Sequence, residues 1–486
     1  MSAIPNIPRV SDGAAAHVTE LRRVFDAQRA AFVRGAPDHR RRMDALAALR
    51  DGVSAHQEEL LDAVSADFGG RSRDETLMLE IFPLLDLIRH SRKHLRAWMK
   101  RRRVGSVWFL RPSENYIIHQ PLGVVGVIGA WNYQLLLTLG PVVDAIAAGN
   151  HVMIKPSEIT PRSAEVIAGI IAERFPPEYI TVITGGSDVA SALSTLPFDR
   201  LFFTGSTRVG SLVMQAAAAN LTPVTLELGG KSPAIVHAEF PMETALRRIL
   251  TGKLYNAGQT CVAPDYLLVP NGRLEEVERL APGIVKEMYP RLVDNADYTR
   301  IVNRRHYERL AAAAAEAARR GARVIPIDPA GESFSIENRV YPPTLVFGAA
   351  DDTSLMRQEV FGPILPVVGY GTLDEAIAYV NARPRPLSLY YFDYTTSRIE
   401  RVIRETVSGG VLINDVVLHL GQPNLPFGGV GPSGMGHYHG FFGFETFSKK
   451  KGVMKQSRLA MTGLFRPPYD RRFRFLLEKL LRIARR

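Results

Sequence analysis

The 486-residue chain reads as a doubly wound α/β protein with more than one domain, and three features of its pattern carry that expectation. Short apolar runs recur from residue 121 onward: GVVGVIG at 123–129, HVMIK at 151–155, YITVI at 179–183, RLFFT at 200–204 and VTLEL at 224–228. They are continuous rather than alternating, as strands buried on both faces of a parallel sheet must be. Helical stretches such as 161–173 and 208–219 separate them, and this alternation packs helices on both faces of one sheet. The length itself exceeds what one hydrophobic core ordinarily organises.

Taken in order, residues 17–64 place apolar side chains at helical spacing with charges between them, which predicts two surface-packed helices. The five apolar runs follow. A second α/β series then sets helical patterns at 272–288 and 303–320 against apolar runs at 342–347, 364–369, 387–392 and 410–414. Within it, AAAAAEAARR at 311–320 is a good helix former. Segment 425–440 is dense in glycine and is expected to be loop backbone brought close to a ligand or another chain. From Arg472 the tail puts Phe473, Leu476, Leu477, Leu480 and Ile483 on one helical stripe, with Arg474, Glu478, Arg482 and Arg485 on the other. Such a basic amphipathic helix either packs on its own protein or lies on an anionic membrane or a partner.

Composition narrows the function classes. The chain is 46% hydrophobic and 22% charged, the balance of a soluble globular protein. No stretch approaches the roughly 18 uninterrupted apolar residues of a spanning helix. The start, MSAIPNIPRV, lacks the basic and apolar regions of a leader. One cysteine excludes an intrachain disulfide framework, so a reducing, cytoplasmic setting is expected. The net charge of +11 is concentrated: residues 89–103 hold eight Lys/Arg and no acid, and residues 466–486 hold eight against two acids. Outside these two patches the chain is mildly acidic, which argues against a broad nucleic-acid-binding face.

Three motifs carry chemistry. FFTGSTRVG (202–210) follows an apolar run and opens a helix, as a phosphate-binding turn should. Gly205 permits the turn and Gly210 close packing, but Thr207 breaks the dinucleotide fingerprint, and most such turns bind nothing. In VTLELGGKSP (224–233), Glu227 sits among strand formers. Burial would raise its pKa toward that of a general base, while a salt-bridged strand-end acid is the plainer alternative. In NAGQTCVAPDY (256–266), Cys261 is flanked by loop residues. A lone cysteine is more often inert core, yet in a loop its thiolate is a capable nucleophile.

The ordered set GSTRVG, LELGGKSP and AGQTC, with Glu227 and Cys261 34 positions apart, resembles the aldehyde dehydrogenase superfamily. The similarity continues in PLGVVGVIGAWNY, VMIKPSE, EVFGPILPV and PFGGVGPSGMGHYHG and spans residues 20–460. The N-terminus and the ending look like the class-3 branch, and AGQTCVAPDY with YVNARPRPLSLYYF resembles its bacterial coniferyl-aldehyde dehydrogenases. The resemblance implies a Rossmann-like cofactor-binding domain (1–227), an α/β catalytic domain (228–424) and a small oligomerisation element. That element joins a hairpin at 103–120 with the segment 425–460, and the tail 461–486 lies outside the well-matched region. It further implies a homodimer and a small-molecule aldehyde substrate, coniferyl aldehyde above all. A broad-specificity medium-chain or fatty aldehyde dehydrogenase of the same class is the alternative.

By the same resemblance, Cys261 attacks the aldehyde carbonyl, and the Asn132 side-chain amide and the Cys261 backbone N–H hold the oxyanion. Such donors are each worth about 3–4 kcal/mol in the transition state. Glu227 activates the water that hydrolyses the resulting thioester. Lys155 and Glu158 reach the adenine ribose, Gly205, Ser206 and Gly210 surround the pyrophosphate, Glu359 binds the nicotinamide ribose and Phe361 packs on the cofactor. A carboxylate at Glu158 favours NAD over NADP without excluding the latter. Two positions depart from the family pattern. Ala130 and Gln134 stand where proline usually flanks the Trp-Asn-Tyr triplet, so a looser or reshaped loop is expected around Asn132. Trp131 and Tyr133 either line the substrate channel or anchor that loop. His437 and His439 have no metal-ligand spacing with Cys261, so no metal is expected and a structural role is.

Three rivals make different demands. A coenzyme-A-acylating enzyme would not need Glu227. A cysteine hydrolase would not need both GSTRVG and KPSE. A non-catalytic derivative would not need Cys261 with Glu227.

Overall fold

In the computed structural model, the described residues are 12–459 and 466–485. The MSAIPNIPRV start and residues 460–465 of the tail lie outside them. The N-terminal region forms three helices rather than two, Asp12–Arg34, His39–Ala55 and Gln57–Phe68. His56 makes the extra break: its backbone leaves helical geometry and its ring Nδ1 meets Gly52 O at 3.0 Å. Apolar spacing runs on across this single residue, so periodicity does not register it. The helix Leu136–Ala148 also escapes a periodicity reading, because every one of its residues is buried and no polar face gives contrast.

Five of the six strands of the first sheet are parallel: Val124–Ile128, His151–Lys155, Ile180–Val182, Arg200–Thr204 and Val224–Glu227. The chain steps outward from Val124–Ile128 through the next two strands, then returns to its other side for Arg200–Thr204 and Val224–Glu227. This reversal opens a crevice at the carboxyl ends of the two central strands, where α/β sheets take their ligands. The second sheet has seven strands in the order Arg323–Pro326, Thr344–Phe347, Ile364–Tyr370, Tyr266–Pro270, Pro233–Val236, Ser388–Phe392 and Gly410–Ile413. Only the first of these is antiparallel to its neighbour.

A third, antiparallel sheet joins Arg102–Val104, Ser113–Pro121 and Ser448–Gln456. The glycine-dense segment packs closely on the first sheet. It lays Gly434–Met435 antiparallel against the Glu227 strand, with Gly434 opposite Glu227. A Cβ on Gly434 would strike the Leu226 carbonyl, so glycine is what lets these two backbones meet. The tail forms the helix Arg471–Ala484, none of whose residues is buried. Phe475, Leu477, Leu481 and Ile483 are exposed, so the helix does not pack on the body of the protein.

Candidate active site

The carboxyl edge of the first sheet collects one set of candidate residues. His151–Lys155 ends in Lys155, Val224–Glu227 ends in Glu227, and Arg200–Thr204 runs directly into Gly205 and Ser206. The loop after Val124–Ile128 carries Asn132. The amino edge of the second sheet supplies the rest: Cys261 precedes Tyr266–Pro270 and Glu359 precedes Ile364–Tyr370. The link from Glu227 to Pro233–Val236 crosses between the sheets through Gly229 and Gly230. Residues up to 227 positions apart therefore converge, the Asn132 loop bonding to the Cys261 loop and Glu359 lying against Gly229.

Glu227 is buried, and neither carboxylate oxygen has a hydrogen-bond partner. No ion pair to it occurs among the described residues, so the salt-bridged alternative is not what the fold builds. Burial alone holds its pKa well above the ordinary carboxylate range. A partnerless buried carboxyl is costly unless it is protonated or has a ligand to meet.

Cys261 is half-buried. Burial pushes its thiol up to about 12, with the Glu359 and Glu227 charges adding to the effect, while the backbone N–H groups of Cys261 and Val262 pull the other way. The charge coupling brings all three side chains into one neighbourhood. The turn before Cys261 is strained: Asn256, Ala257 and Gly258 have φ of 53°, 49° and 75°. Side chains hold it in place. Asn256 N–H donates to Glu75 Oε2 at 2.8 Å, Gln259 Nε2 donates to Asn256 O at 2.9 Å, and Gln259 Oε1 accepts from Val302 N–H at 2.9 Å.

Asn132 is buried and its Nδ2 donates to Gln259 O at 3.1 Å, which leaves the second amide hydrogen for another acceptor. Its loop is tied down by side chains. Gln134 is buried, accepts from Arg71 Nη1 at 3.4 Å and donates to Ser163 Oγ at 3.2 Å. Tyr133 shares a 2.7 Å hydrogen bond with Thr260 Oγ1, beside the nucleophile, and so anchors the loop. Trp131 is half-buried and meets His306 at 4.9 Å and Phe361 at 5.3 Å between ring centroids.

The cofactor candidates line the same crevice. Lys155 is buried and donates to Glu158 Oε2 at 2.5 Å, with Glu158 reaching outward. Ser206 caps the helix Thr207–Ala218 by accepting from Val209 N–H at 3.4 Å. That helix N-terminus opens into the crevice with its positive dipole end, a setting for a pyrophosphate. A Cβ on Gly210 would strike Leu228, so glycine sets how closely the helix sits on the strand. The Glu359 carboxylate lies against Gly229, where a methyl group would overlap it, and its Oε1 has no partner. Burial first, then the Asp265 charge, raises Glu359 to about 8. Arg309 holds the segment from behind, donating to Val360 O at 2.7 Å and Phe361 O at 3.2 Å, and Phe361 itself has a φ of 46°.

Sequence reading passed over Arg71, Glu75, Glu80, Asn256, Gln259 and Arg309, which contact the loops of the candidate residues from elsewhere in the chain. Only Asn256 and Gln259 carried a local signal, by lying inside NAGQTC. His439 is buried against Phe427 and Tyr438, and His437 is exposed. Among the described residues, His237, Glu239 and Asp393 form one group with metal-ligand spacing, but Arg398 donates to both carboxylates there.

Comparison with known proteins adds an independent line. The sequence profile of the aldehyde dehydrogenase family matches residues 7–453. The probable coniferyl aldehyde dehydrogenase of Pseudomonas aeruginosa is 49% identical, over 95% of this chain and 96% of that one. The coniferyl aldehyde dehydrogenase of a Pseudomonas species is 44% identical, over 88% of this chain and 89% of that one. Among solved structures, the substrate-bound Staphylococcus aureus AldH superposes with a TM-score of 0.89 at 40% identity, covering 95% of this chain and 99% of that one.

Proposed function

The chain belongs to the aldehyde dehydrogenase family, with NAD(P)-dependent aldehyde oxidation as its activity, and from that premise we propose that it converts an aromatic aldehyde, coniferyl aldehyde above all, to the acid through Cys261. The observation that carries this reading is the buried, partnerless Glu227 carboxyl coupled to the Cys261 thiol. The two curated relatives named for coniferyl aldehyde support the substrate.

In this mechanism the Cys261 thiol loses its proton to solvent and the thiolate sulfur bonds to the aldehyde carbon, while the carbonyl π pair moves to oxygen as an oxyanion held by the Asn132 side-chain amide and the Cys261 backbone N–H. The free hydrogen on Asn132 Nδ2 suits that task. NAD(P), held by the residues named below, would supply the acceptor for the hydride that this carbon gives up, which would leave a thioester on Cys261. Glu227 then takes a proton from water as its oxygen attacks the thioester carbon, and the carbon–sulfur bond breaks to release the acid. A carboxyl whose pKa is raised by burial is matched to that proton transfer.

The fit of the cofactor rests on this chain's own groups. The Ser206-capped helix end meets the pyrophosphate with Gly205 and Gly210 beside it, and Lys155 and Glu158 take the adenine ribose hydroxyls. The partnerless Glu359 Oε1 takes the nicotinamide ribose, with Phe361 against the ring. The Glu158 carboxylate would repel a 2′-phosphate, so NAD is preferred and NADP accepted. A domain division at residues 227 and 424 is supported by the second sheet lying between Pro233 and Ile413, while Gly434–Met435 returns to the first sheet. The three-stranded sheet and the tip carrying Val107, Trp108 and Phe109, all exposed, suit a homodimer contact with segment 425–460. The uncovered basic tail helix suits peripheral contact with an anionic membrane.

The purified protein should reduce NAD when given coniferyl aldehyde without coenzyme A, followed at 340 nm. A kcat/KM for coniferyl aldehyde no higher than for hexanal would replace the aromatic reading with the broad-specificity one. An absolute requirement for coenzyme A would overturn hydrolysis by Glu227.

A further inference from the structure

Arg71 lies outside every motif that the function uses, yet it is buried at the base of both reactive loops. Its Nη1 donates to the Asn132 backbone oxygen at 2.9 Å and to Gln134 Oε1 at 3.4 Å, and stands 2.9 Å from Glu80 Oε1. Glu80 Oε2 accepts from the N–H groups of Leu135 and Leu136 at 2.7 and 3.3 Å. The guanidinium carbon sits 4.8 Å from the Tyr133 ring centroid. One buried ion pair therefore touches every residue from 132 to 136. The Asn132 oxygen also accepts from Asn256 Nδ2 at 2.9 Å, so Arg71 and Asn256 share one carbonyl between the two loops.

Stability alone does not explain such a pair. Replacing a buried ion pair with packed apolar groups is often neutral or stabilising, and here Arg71 Nε and Nη2 lack hydrogen-bond partners. A hydrophobic pair would fill the space at lower cost but could not hold a backbone carbonyl and a glutamine oxygen at fixed points. Gln134 has no ring to fix its backbone, and its side chain bonds instead to Arg71 and to Ser163, which donates to Asp67 at 2.6 Å.

We propose that Arg71, braced by Glu80 and acting with Gln134, is a positioning residue that holds the Asn132 loop in register with the Cys261 loop. This rests on the reading of Asn132 as the oxyanion donor. The test is a double-mutant cycle on kcat with coniferyl aldehyde and NAD, using Arg71→Lys, Gln134→Leu and Asn132→Ala, with folding checked by thermal unfolding. Lysine keeps a charge for Glu80, but its flexible stem does not fix the donor as the planar guanidinium held against the Phe68 and Tyr133 rings does. Arg71→Lys should lower kcat about tenfold with both KM values within about twofold. On the Asn132→Ala background the same change should have no further effect, because the group being positioned is gone.

Equal losses on both backgrounds would mean a general structural role and overturn the proposal, as would a wild-type kcat for Arg71→Lys. Should Arg71→Lys fail to fold, Gln134→Leu leaves the ion pair intact and carries the same cycle with the same two outcomes. A wild-type kcat for Asn132→Ala itself would sink the oxyanion reading and this proposal together. Loss there without loss in the Arg71 or Gln134 variants would sink this proposal alone.

Discussion

At the scale of single residues, Cys261 and Glu227 hold their protons more tightly than free side chains do, and for the same reason. Burial penalises either charge, and at Cys261 the Glu359 and Glu227 charges add to it. With the thiol near 12 and the carboxyl above its usual range, the resting pair is neutral, and activity waits on loss of a proton. The sign follows: kcat should rise with pH as Glu227 ionises, and Glu227→Gln should flatten that limb in a pH–rate profile. The Gln variant should still acylate, giving a pre-steady-state burst of NADH followed by slow turnover. Cys261→Ser should lose both phases and at least about a thousandfold in kcat. Loss of burst and turnover together in Glu227→Gln would assign Glu227 to the first step instead.

At the scale of elements, the left-handed turn Asn256–Ala257–Gly258 aims the nucleophile, and its geometry is enforced from outside. A Cβ on Gly258 would lie 2.3 Å from the Gly362 oxygen, at a φ of 75° that side chains resist. Gly258→Ala should therefore destabilise the fold by about 2 kcal/mol or more in denaturant unfolding and lower turnover with it. The tail helix poses the opposite case, since the body does not constrain it. Deleting residues 466–486 should leave kcat for a soluble aldehyde unchanged. The same deletion should abolish sedimentation with phosphatidylserine vesicles at low salt. Full-length protein that stays in solution with those vesicles would end the membrane reading.

At the scale of the whole molecule, buried titrating groups set how stability varies with pH. Glu75 is raised to about 7 and Glu359 to about 8, and Glu80, Asp144 and Glu227 are raised as well, all first by burial. Above the unfolded value of about 4.5 the native state binds more protons at these sites, so their contribution falls as pH rises toward 8. Burial lowers His306 and His419 to about 4, His439 to about 3, and also His90 and His151. Their contribution is complete above the unfolded value near 6.5 and is lost as pH falls. The two sets oppose each other below 6.5, and between 6.5 and 8 the carboxyls lead, opposed only near 8 by the buried Lys253, which burial lowers to about 8. The unfolding midpoint should thus decline from pH 6.5 to 8, and Glu359→Gln should reduce that decline. A midpoint that climbs over this interval would contradict the buried-carboxyl account.

Chain-local chemistry was enough for much of this protein. Continuous apolar runs announced the five parallel strands of the first sheet and four strands of the second, because a strand buried on two faces needs no polar alternation, while Pro233–Val236, Tyr266–Pro270 and Arg323–Pro326 went unread. Glu227, Cys261 and the GSTRVG turn stood out as residue types that are costly or strained where they occur. Other features depend on contacts that no local window holds. His56 splits a helix without disturbing its apolar spacing, and Leu136–Ala148 is apolar all round. The role of the glycine-dense segment, laid on the Glu227 strand, appears only when Gly434 meets Leu226. The brace of Arg71, Glu75 and Glu80 joins residues 132–136 and 256 across 61 and 181 positions. A buried charge becomes a brace only through the partner it meets, and that partner is assigned by the folded chain rather than by its neighbours in sequence.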